Sequence, residues 1–145
     1  MGDDFDRPLT PDGRNRIARE ARAMVALRLQ FDAIITSPAV RARQTASIVA
    51  GALKIPERLV EDARLGFGFD RGALEDILAE RPNAGAVLLV GHEPTMSATI
   101  GSVIGGARIV FKKGGLARVT FGRVTTPLAG ELAWLIPPKL LLLLR

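Results

Sequence analysis

The chain has 145 residues, of which 48% are hydrophobic and 24% are charged. This size and composition fit one domain with its own core and exclude a disordered chain. There is no cysteine and a single histidine, His92, which excludes a thiol nucleophile, a cysteine-bound metal and any site that takes two imidazoles from this chain. We therefore expect a single domain over residues 1–145, with no metal and no cofactor.

The net charge of +5 is compatible with an anionic partner, such as a phosphate group or a nucleic acid. Nucleic acid is disfavoured, because the only adjacent lysines are Lys112 and Lys113 and the chain has no tyrosine for base stacking. The start, Met1–Asp4, lacks the apolar run of a secretory signal, and the apolar tract Leu140–Leu144 is far shorter than the roughly 20 residues that span a bilayer. We expect a cytoplasmic protein that binds neither nucleic acid nor membrane.

The first 30 residues predict a loop followed by a helix. Residues 1–9 are polar and have no periodic apolar face, which predicts the loop. Thr10, Pro11 and Asp12 are a strong helix start, with a capping side chain, a proline at the first helical position and an acidic residue at the positive end of the dipole. Apolar residues continue at helical spacing to Leu29, which predicts an amphipathic helix of about five turns.

Two buried strands are predicted, and each leads directly into a helix. The first, residues 31–36, is apolar and rich in β-branched side chains, and it stops at Ser37-Pro38. Helical spacing resumes at once, so Arg41 lies in the first turn of the next helix. The second strand, residues 86–90, is the strongest strand signal and runs into Gly91-His92-Glu93-Pro94 and a further helix.

The remaining elements complete an α/β pattern. Residues 58–61 predict a short strand, residues 71–80 predict a helix, and two further strands are predicted around residues 116–121 and 132–136. Lys112-Lys113-Gly114-Gly115 lacks the spacing of a phosphate-binding loop and predicts a turn between strands. Strands interleaved with helices predict an α/β sheet covered on both faces.

The strand ends are the predicted place for chemistry, because open α/β sheets bind ligands where strands lead into helices. Arg41 lies at a helix start, where backbone N–H groups favour an anion, and its guanidinium fits phosphate oxygens. His92 follows the other strand, and Ser37 and Glu93 are auxiliary candidates. The structural alternatives are a solvated Arg41, a capping or buried His92, and a Glu93 that complements a helix dipole. Taken together, these residues predict a phosphate pocket.

Three segments resemble a known family. Residues 6–13 read DRPLTPDG, residues 37–46 read SPAVRARQTA, and residues 90–94 read VGHEP. In that order and spacing they resemble the histidine phosphatase superfamily and, within it, the small SixA-type phosphohistidine phosphatases. The resemblance extends from Asp6 to Pro137 and so covers nearly the whole chain.

This resemblance implies a three-layer α/β/α fold with a mostly parallel central sheet, like that of phosphoglycerate mutase. It implies that Arg41 grips the phosphoryl oxygens and that His92 stabilises negative charge on the phosphoryl group. Family members begin with a buried strand that ends in Arg-His-Gly, whose histidine is the phosphorylated nucleophile. These 145 residues contain no such segment, so the first strand and the nucleophile are expected to be missing from this chain.

Two explanations stay open for the missing strand. Either the protein starts upstream of Met1, which we favour, or a shortened protein has lost the activity. Loss of a central strand exposes apolar faces and unpaired backbone groups on its neighbours. We therefore expect the 145-residue chain to be less stable than the family domain and prone to associate.

The resemblance implies a protein phosphohistidine phosphatase, in which the phosphoryl group passes to an enzyme histidine and then to water. Its partner would be a phosphohistidine-bearing protein or a small phosphorylated substrate. The short stretch from Pro56 to Pro82 favours the phosphohistidine branch over the ester-cleaving relatives. The alternatives are a phosphatase acting on small phosphate esters and a catalytically inactive domain that binds phosphate or a phosphoprotein.

Overall fold

A computed structural model of the protein describes residues 2–144, with side chains from Asp4 onward. No helix in that range is long and apolar enough to cross a membrane. Two single-turn 3₁₀ segments lie at Pro56–Arg58 and Ala63–Leu65. The helices and strands are α1 (Gly2–Asp6), α2 (Pro11–Ala26), β1 (Ala33–Thr36), α3 (Val40–Ala52), β2 (Leu59–Glu61), α4 (Arg71–Ala79), β3 (Val87–Val90), α5 (Thr95–Val103), β4 (Leu116–Thr120), β5 (Glu131–Ile136) and α6 (Pro138–Leu141).

The first three strands form a parallel sheet in the order β2-β1-β3. β1 is the central strand, and Ile34 lies opposite both Leu59 of β2 and Leu88 of β3. All four residues of β1 are buried, as its continuous apolar and β-branched sequence predicts. The parallel arrangement brings the carboxyl ends of β1 and β3 to the same edge of the sheet.

Helices cover both faces of this sheet. On one face, Ile34 packs in a cluster with Met24 of α2 and Val49 of α3. On the other face, Ile35 packs in a cluster with Ile77 of α4 and with residues of α5. The alternation of side chains along β1 therefore divides the core into two clusters. The predicted three-layer α/β/α fold is confirmed.

Helix α2 starts as its sequence predicts and ends earlier. The Thr10 side chain caps the helix by accepting a hydrogen bond of 3.0 Å from the backbone N–H of Gly13. The helix ends at Ala26, about one turn before Leu29, because the chain reverses at Arg28, whose φ of 58° lies in the left-handed region.

The last two strands form a separate antiparallel pair, with Leu116 of β4 opposite Ile136 of β5, as predicted. The segment 112–115 is a turn, in which the Gly115 N–H donates to the Lys112 carbonyl oxygen at 2.8 Å. The predicted location of that turn between two strands is wrong. The segment leads from the region after α5 into β4, because helix α5 separates it from β3.

The prediction of a loop for residues 1–9 is wrong in part, since residues 2–6 form the short helix α1. The Asp4 carboxylate fixes this turn by accepting a hydrogen bond of 2.6 Å from Arg7, one turn later. The same carboxylate reaches Arg41 of α3, against which α1 packs. A local ion pair and a tertiary contact thus order a segment that has no apolar stripe of its own.

Strand β3 has the strongest strand signal in the sequence but is only half-buried. Among the described residues it pairs with β1 alone, which leaves the backbone groups of its other edge unpaired. That side borders a cavity, which also reaches Leu116 of β4. The apolar sequence predicts burial on both faces, but burial also requires a neighbouring strand on each side.

Candidate functional site

The carboxyl ends of β1 and β3 are joined by two hydrogen bonds. The Ser37 N–H donates to the Val90 carbonyl oxygen at 2.9 Å, which continues the sheet by one residue. The Ser37 hydroxyl then lies 2.8 Å from Nε2 of His92. Ser37 is completely buried, so this contact is shielded from water. The predicted residues Ser37 and His92 are thereby brought together by the parallel pairing of their strands.

The backbone and ring of His92 are also held by neighbours from the following helix and from a loop. Its carbonyl oxygen accepts hydrogen bonds from the Met96 N–H at 2.9 Å and from the Thr95 hydroxyl at 2.8 Å. The Phe67 ring stacks on the imidazole, with centroids 4.3 Å apart and an interplanar angle of 29°. The Met96 side chain packs close to Gly91, where a Cβ would lie 2.9 Å from the Met96 sulfur. The imidazole therefore has a fixed position and orientation.

The environment of His92 favours the neutral ring. Burial lowers its pKa below 6.5, the positive charge of Arg41 lowers it further, and the Asp4 carboxylate opposes both effects. The Ser37 oxygen accepts a hydrogen bond of 3.2 Å from the Ala39 N–H, so its own proton is free to donate to Nε2. A neutral ring that accepts at Nε2 carries its proton on Nδ1.

Arg41 lies in the first turn of α3, as predicted, and faces an anion in this structure. Its NH2 group is 2.9 Å from Oδ1 of Asp4. The pKa of Asp4 is lowered, chiefly by its hydrogen bond from Arg7 and also by the charge of Arg41. Asp4 is therefore a carboxylate at neutral pH and is the anion that Arg41 binds in this structure.

Glu93, the fourth predicted residue, bonds to the first turn of helix α5 and also lines the cavity. Its Oε2 accepts a hydrogen bond of 2.8 Å from the Ser97 N–H, which satisfies a free backbone donor in the first turn of α5. Its side chain also lines the cavity that contains Arg41 and His92. The structural interpretation of Glu93 is thus realised in the geometry, beside the candidate site.

A cavity of about 400 Å³ connects these groups. Among the lining residues that sequence reasoning missed are Asp4, Phe67 and Glu20. The segment 112–115, which the sequence predicts as a turn and not as part of a phosphate site, lines the cavity as well. No local signal points to Asp4 or Phe67, because each reaches the site through a tertiary contact. Glu20 did carry a signal, since it lies one helical turn from both Ile17 and Met24, on the apolar stripe of α2.

Glu20 is the most deeply buried of the charged groups that line the cavity. It is 5% exposed, and its Oε1 atom is fully buried without a hydrogen-bond partner in the part of the chain that the structure describes. Burial raises its pKa to about 7, although the charge of Arg16 opposes this effect. At neutral pH the carboxyl therefore exchanges readily between its acid and its carboxylate.

Metal ligands are not concentrated in this site. Within residues 2–144, no group of three or more histidine, cysteine, aspartate or glutamate side chains is arranged to hold a metal ion. The groups that converge on the cavity are a guanidinium, an imidazole and carboxyls. Their arrangement at two parallel strand ends can bind an oxyanion and exchange protons with it.

Comparisons with known sequences agree with this arrangement. The family model described as histidine phosphatase superfamily (branch 1) matches residues 1–66, which include Arg41. A protein of Picosynechococcus sp. described as uncharacterized is 35% identical over 150 aligned positions, which cover 97% of this chain and 88% of the relative. Another such protein, from Mycobacterium tuberculosis, is 36% identical over 95 residues, 66% of this chain and 58% of the relative.

Solved structures extend the likeness to the whole fold. The protein histidine phosphatase SixA in complex with tungstate superimposes with a TM-score of 0.84 at 23% identity, covering 96% of this chain and 89% of that one. The protein named SixA from Agrobacterium tumefaciens gives a TM-score of 0.76 at 26% identity, covering 93% of this chain and 86% of that one. The fold predicted from the three segments is confirmed, and the chain belongs to the histidine phosphatase superfamily.

Proposed function

We propose that this domain acts on phosphohistidine in proteins, with Arg41 and His92 binding the phosphoryl group that is transferred. One observation carries the proposal: a guanidinium and an imidazole from the ends of two adjacent parallel strands face one cavity. The names of the SixA proteins with the same fold support the choice of phosphohistidine as substrate.

Each residue has a distinct part in this proposal. Arg41 forms charge-assisted hydrogen bonds to the phosphoryl oxygens, in the position that the Asp4 carboxylate now occupies. His92 donates from its ring to the phosphoryl group, and Ser37 fixes the ring for that contact. A dianion next to His92 favours the imidazolium, so phosphate binding raises the pKa that burial lowers. These groups stabilise the charge that develops on the phosphoryl oxygens during transfer.

Transfer through a covalent phosphohistidine requires a second imidazole. His92 is the only histidine of this chain, so the proposed nucleophile comes from outside these 145 residues. In the proposed step the P–N bond of the substrate breaks, its electron pair returns to the substrate imidazole, and a P–N bond forms to the nucleophile. Water then releases phosphate. Among the described residues β3 has a partner strand on one side only, which supports an added strand as the carrier of that nucleophile.

A phosphate-binding domain without turnover is the second candidate. The observation that favours it is again the single histidine, because Arg41 and His92 without a nucleophile supply binding and electrostatic stabilisation alone. The two candidates share the same phosphate contacts. They differ in whether a nucleophile placed in the cavity receives the phosphoryl group.

Chemical rescue with imidazole separates the two. The 145-residue chain is mixed with a phosphohistidine-bearing peptide, with and without free imidazole, and the phosphorylated species are followed by ³¹P NMR. We expect the chain alone to bind without turnover, and imidazole to restore transfer with formation of N-phosphorylimidazole. The Arg41→Met variant should not be rescued, whereas Arg43→Met should behave like the wild type, because Arg43 bonds instead to the Pro38 carbonyl oxygen.

The outcomes are distinct. Binding without rescue at any imidazole concentration favours the binding domain. Turnover by the chain alone places the nucleophile within it and contradicts the external imidazole. Failure of the chain to bind either the peptide or inorganic phosphate contradicts both candidates.

A further inference from the structure

The proposed phosphate site leaves Glu20 of the same cavity without a role. This carboxyl extends from α2 into the cavity that Arg41 and His92 line. Its Oε1 atom is fully buried and has no hydrogen-bond partner among the described residues. Buried polar atoms are nearly always paired, since an unpaired one costs free energy. Because Glu20 also lines the cavity, its carboxyl is a candidate to bind a ligand group there.

The backbone on the opposite wall is shaped around this carboxyl. Gly114, in the turn before β4, has a φ of +82°, and a Cβ built on it would lie 2.6 Å from Oε1 and 3.2 Å from Oε2 of Glu20. Any other residue at position 114 would displace the carboxyl. The carboxyl is thus held between α2 and the turn, in space that exists because residue 114 has no side chain.

Charged groups lie on several sides of Glu20, yet among the described residues none forms a hydrogen bond or salt bridge with its side chain. Arg16 precedes it by one turn on α2 and opposes the rise of its pKa. Lys112 and Lys113 of the opposite turn line the same cavity. The remaining charged or titratable groups of the cavity wall are Asp4, Arg41, His92 and Glu93. The cavity therefore contains both the cationic groups of the phosphate site and the Glu20 carboxyl.

Resting on the proposed function, we propose that Glu20 is a catalytic residue that binds the free ring nitrogen of the substrate phosphohistidine. The phosphoryl group lies on Arg41 and His92, and the second nitrogen of the same imidazole meets the Glu20 carboxyl. The ligand class is therefore an N-phosphorylated imidazole, in contrast to a phosphate ester, which has no second ring nitrogen to offer.

The proton balance of the step is simple. The Glu20 O–H bond breaks and an N–H bond forms at the free nitrogen of the substrate ring. The P–N bond then breaks with its electron pair going to the ring, which leaves as neutral imidazole, while the nucleophile forms its bond to phosphorus. Glu20 is left as a carboxylate and regains a proton from water. A pKa of about 7 suits this exchange, because it lies close to that of an imidazole.

Binding measurements on the full 145-residue chain test this role without requiring turnover. The probes are N-phosphorylimidazole and inorganic phosphate, and their dissociation constants are measured by calorimetry from pH 6.5 to pH 9. In Glu20→Met we expect inorganic phosphate to bind within about twofold of wild type, and N-phosphorylimidazole to bind about tenfold more weakly at pH 6.5, the loss of one charge-assisted hydrogen bond. The matched control is Glu57→Gln, since Glu57 is exposed and outside the cavity.

The pH dependence provides the second measurement. Wild-type affinity for N-phosphorylimidazole should fall towards pH 9, because an ionised carboxyl and an unprotonated ring nitrogen share no proton. Glu20→Gln keeps a hydrogen-bonding group of the same shape but cannot titrate, so the part of this fall that is due to Glu20 should be absent. The part that is due to His92 should remain, and the binding of inorganic phosphate should show it as well. If Glu20→Met does not unfold cooperatively, Glu20→Gln takes its place in the affinity measurements.

Two results overturn the role of Glu20 and leave the phosphate site intact: equal affinity of wild type and Glu20→Met for N-phosphorylimidazole, or an unchanged pH dependence in Glu20→Gln. The proposed function fails in a different way. In that case Arg41→Met does not weaken the binding of inorganic phosphate, whichever residue occupies position 20.

Discussion

The polar groups at the two ends of the cavity differ in whether they have hydrogen-bond partners. At the strand ends, the Ser37 hydroxyl, the His92 ring and the Arg41 guanidinium each have a partner within hydrogen-bond distance. At the α2 end, the Glu20 carboxyl has a buried oxygen without one in the described part of the chain. The first end is held in place by its contacts. At the second end, burial determines the protonation state of the Glu20 carboxyl.

This difference separates what each end contributes. Paired groups resist rearrangement, so the phosphate site is prepared for its ligand before binding. An unpaired buried carboxyl costs stability when it ionises, and this cost is what brings its pKa into the range of an imidazole. Substitutions that alter one end at a time test this difference, and the largest effect is expected at Glu20.

Glu20→Gln should remove a pH-dependent loss of stability. The folded-state pKa of about 7 lies above the ordinary glutamate pKa of 4.5, so the folded protein holds this proton more tightly and wild-type stability falls between about pH 4.5 and pH 7. The full cost, on the order of 3 kcal/mol, is present above that window. Urea unfolding at pH 5 and pH 8.5 measures the free energy of unfolding of both proteins. The variant should gain stability relative to wild type only at the higher pH.

The comparison between Glu20→Gln and wild type is needed because His92 titrates in the same region with the opposite sign. Burial lowers the pKa of His92, so its contribution is lost as the pH falls through 6.5. That contribution is common to both proteins and cancels in the difference. An equal response of both proteins to pH would contradict the buried, unpaired state of Glu20.

Arg41→Met should weaken the binding of inorganic phosphate by about a hundredfold, because a bidentate guanidinium contact is lost. Calorimetric titration at pH 7.5 gives the change directly. Arg43→Met is the control on the same helix, since its Nε donates to the Pro38 carbonyl oxygen at 2.9 Å. Similar losses in both variants would mean that net charge, and not the position of Arg41, controls binding.

Ser37→Ala should loosen the His92 ring and weaken phosphate binding by about fivefold, the loss of one neutral hydrogen bond. The more specific readout is the ring itself. ¹⁵N NMR should show His92 in mixed tautomers in the variant and chiefly protonated at Nδ1 in the wild type. Ser97→Ala is the control, because its hydroxyl bonds to the Pro94 carbonyl oxygen instead. An unchanged tautomer in Ser37→Ala would show that Ser37 does not orient the His92 ring.

Asp4→Asn should increase the affinity for phosphate by about threefold, the smallest of these effects, because the competing contact is partly exposed. The removed charge is the anion that Arg41 binds in this structure. Titration with phosphate at low and high salt measures the change, which should shrink as salt screens it. Asp6→Asn, on the same short helix, is the control because its side chain is exposed. An equal gain in both would indicate a general charge effect.

The local features of this fold are the ones that its sequence predicts well. The Thr10 cap, the apolar run of β1 and the helical spacing that follows Pro38 are short-range patterns, and the structure confirms each of them. The same patterns place Arg41 and His92 at strand ends. They fail for α1, whose order depends on Arg41 from another part of the chain.

Some residues of the candidate site could be predicted from local patterns, and others could not. Arg41, His92 and Ser37 could be predicted because they lie next to strands that pair in parallel, and that pairing brings strand ends together. Phe67 could not, since the stack on His92 joins a glycine-rich loop to a strand end. The sequence offers only a weak signal for Glu20, a polar residue on an apolar stripe. Its burial depends on Gly114, far away in the sequence.

By itself, the sequence determined the order and kind of most elements, the family and the residues at the two strand ends. These follow from hydrophobic periodicity, capping and motif spacing, which act between residues close together in the chain. Tertiary structure alone decided that Asp4 faces Arg41. It also decided that, within the described part of the chain, β3 has one unpaired edge and Glu20 is buried without a partner. The physical reason is that pairing and desolvation depend on which distant segments meet, and a local pattern carries no information about that.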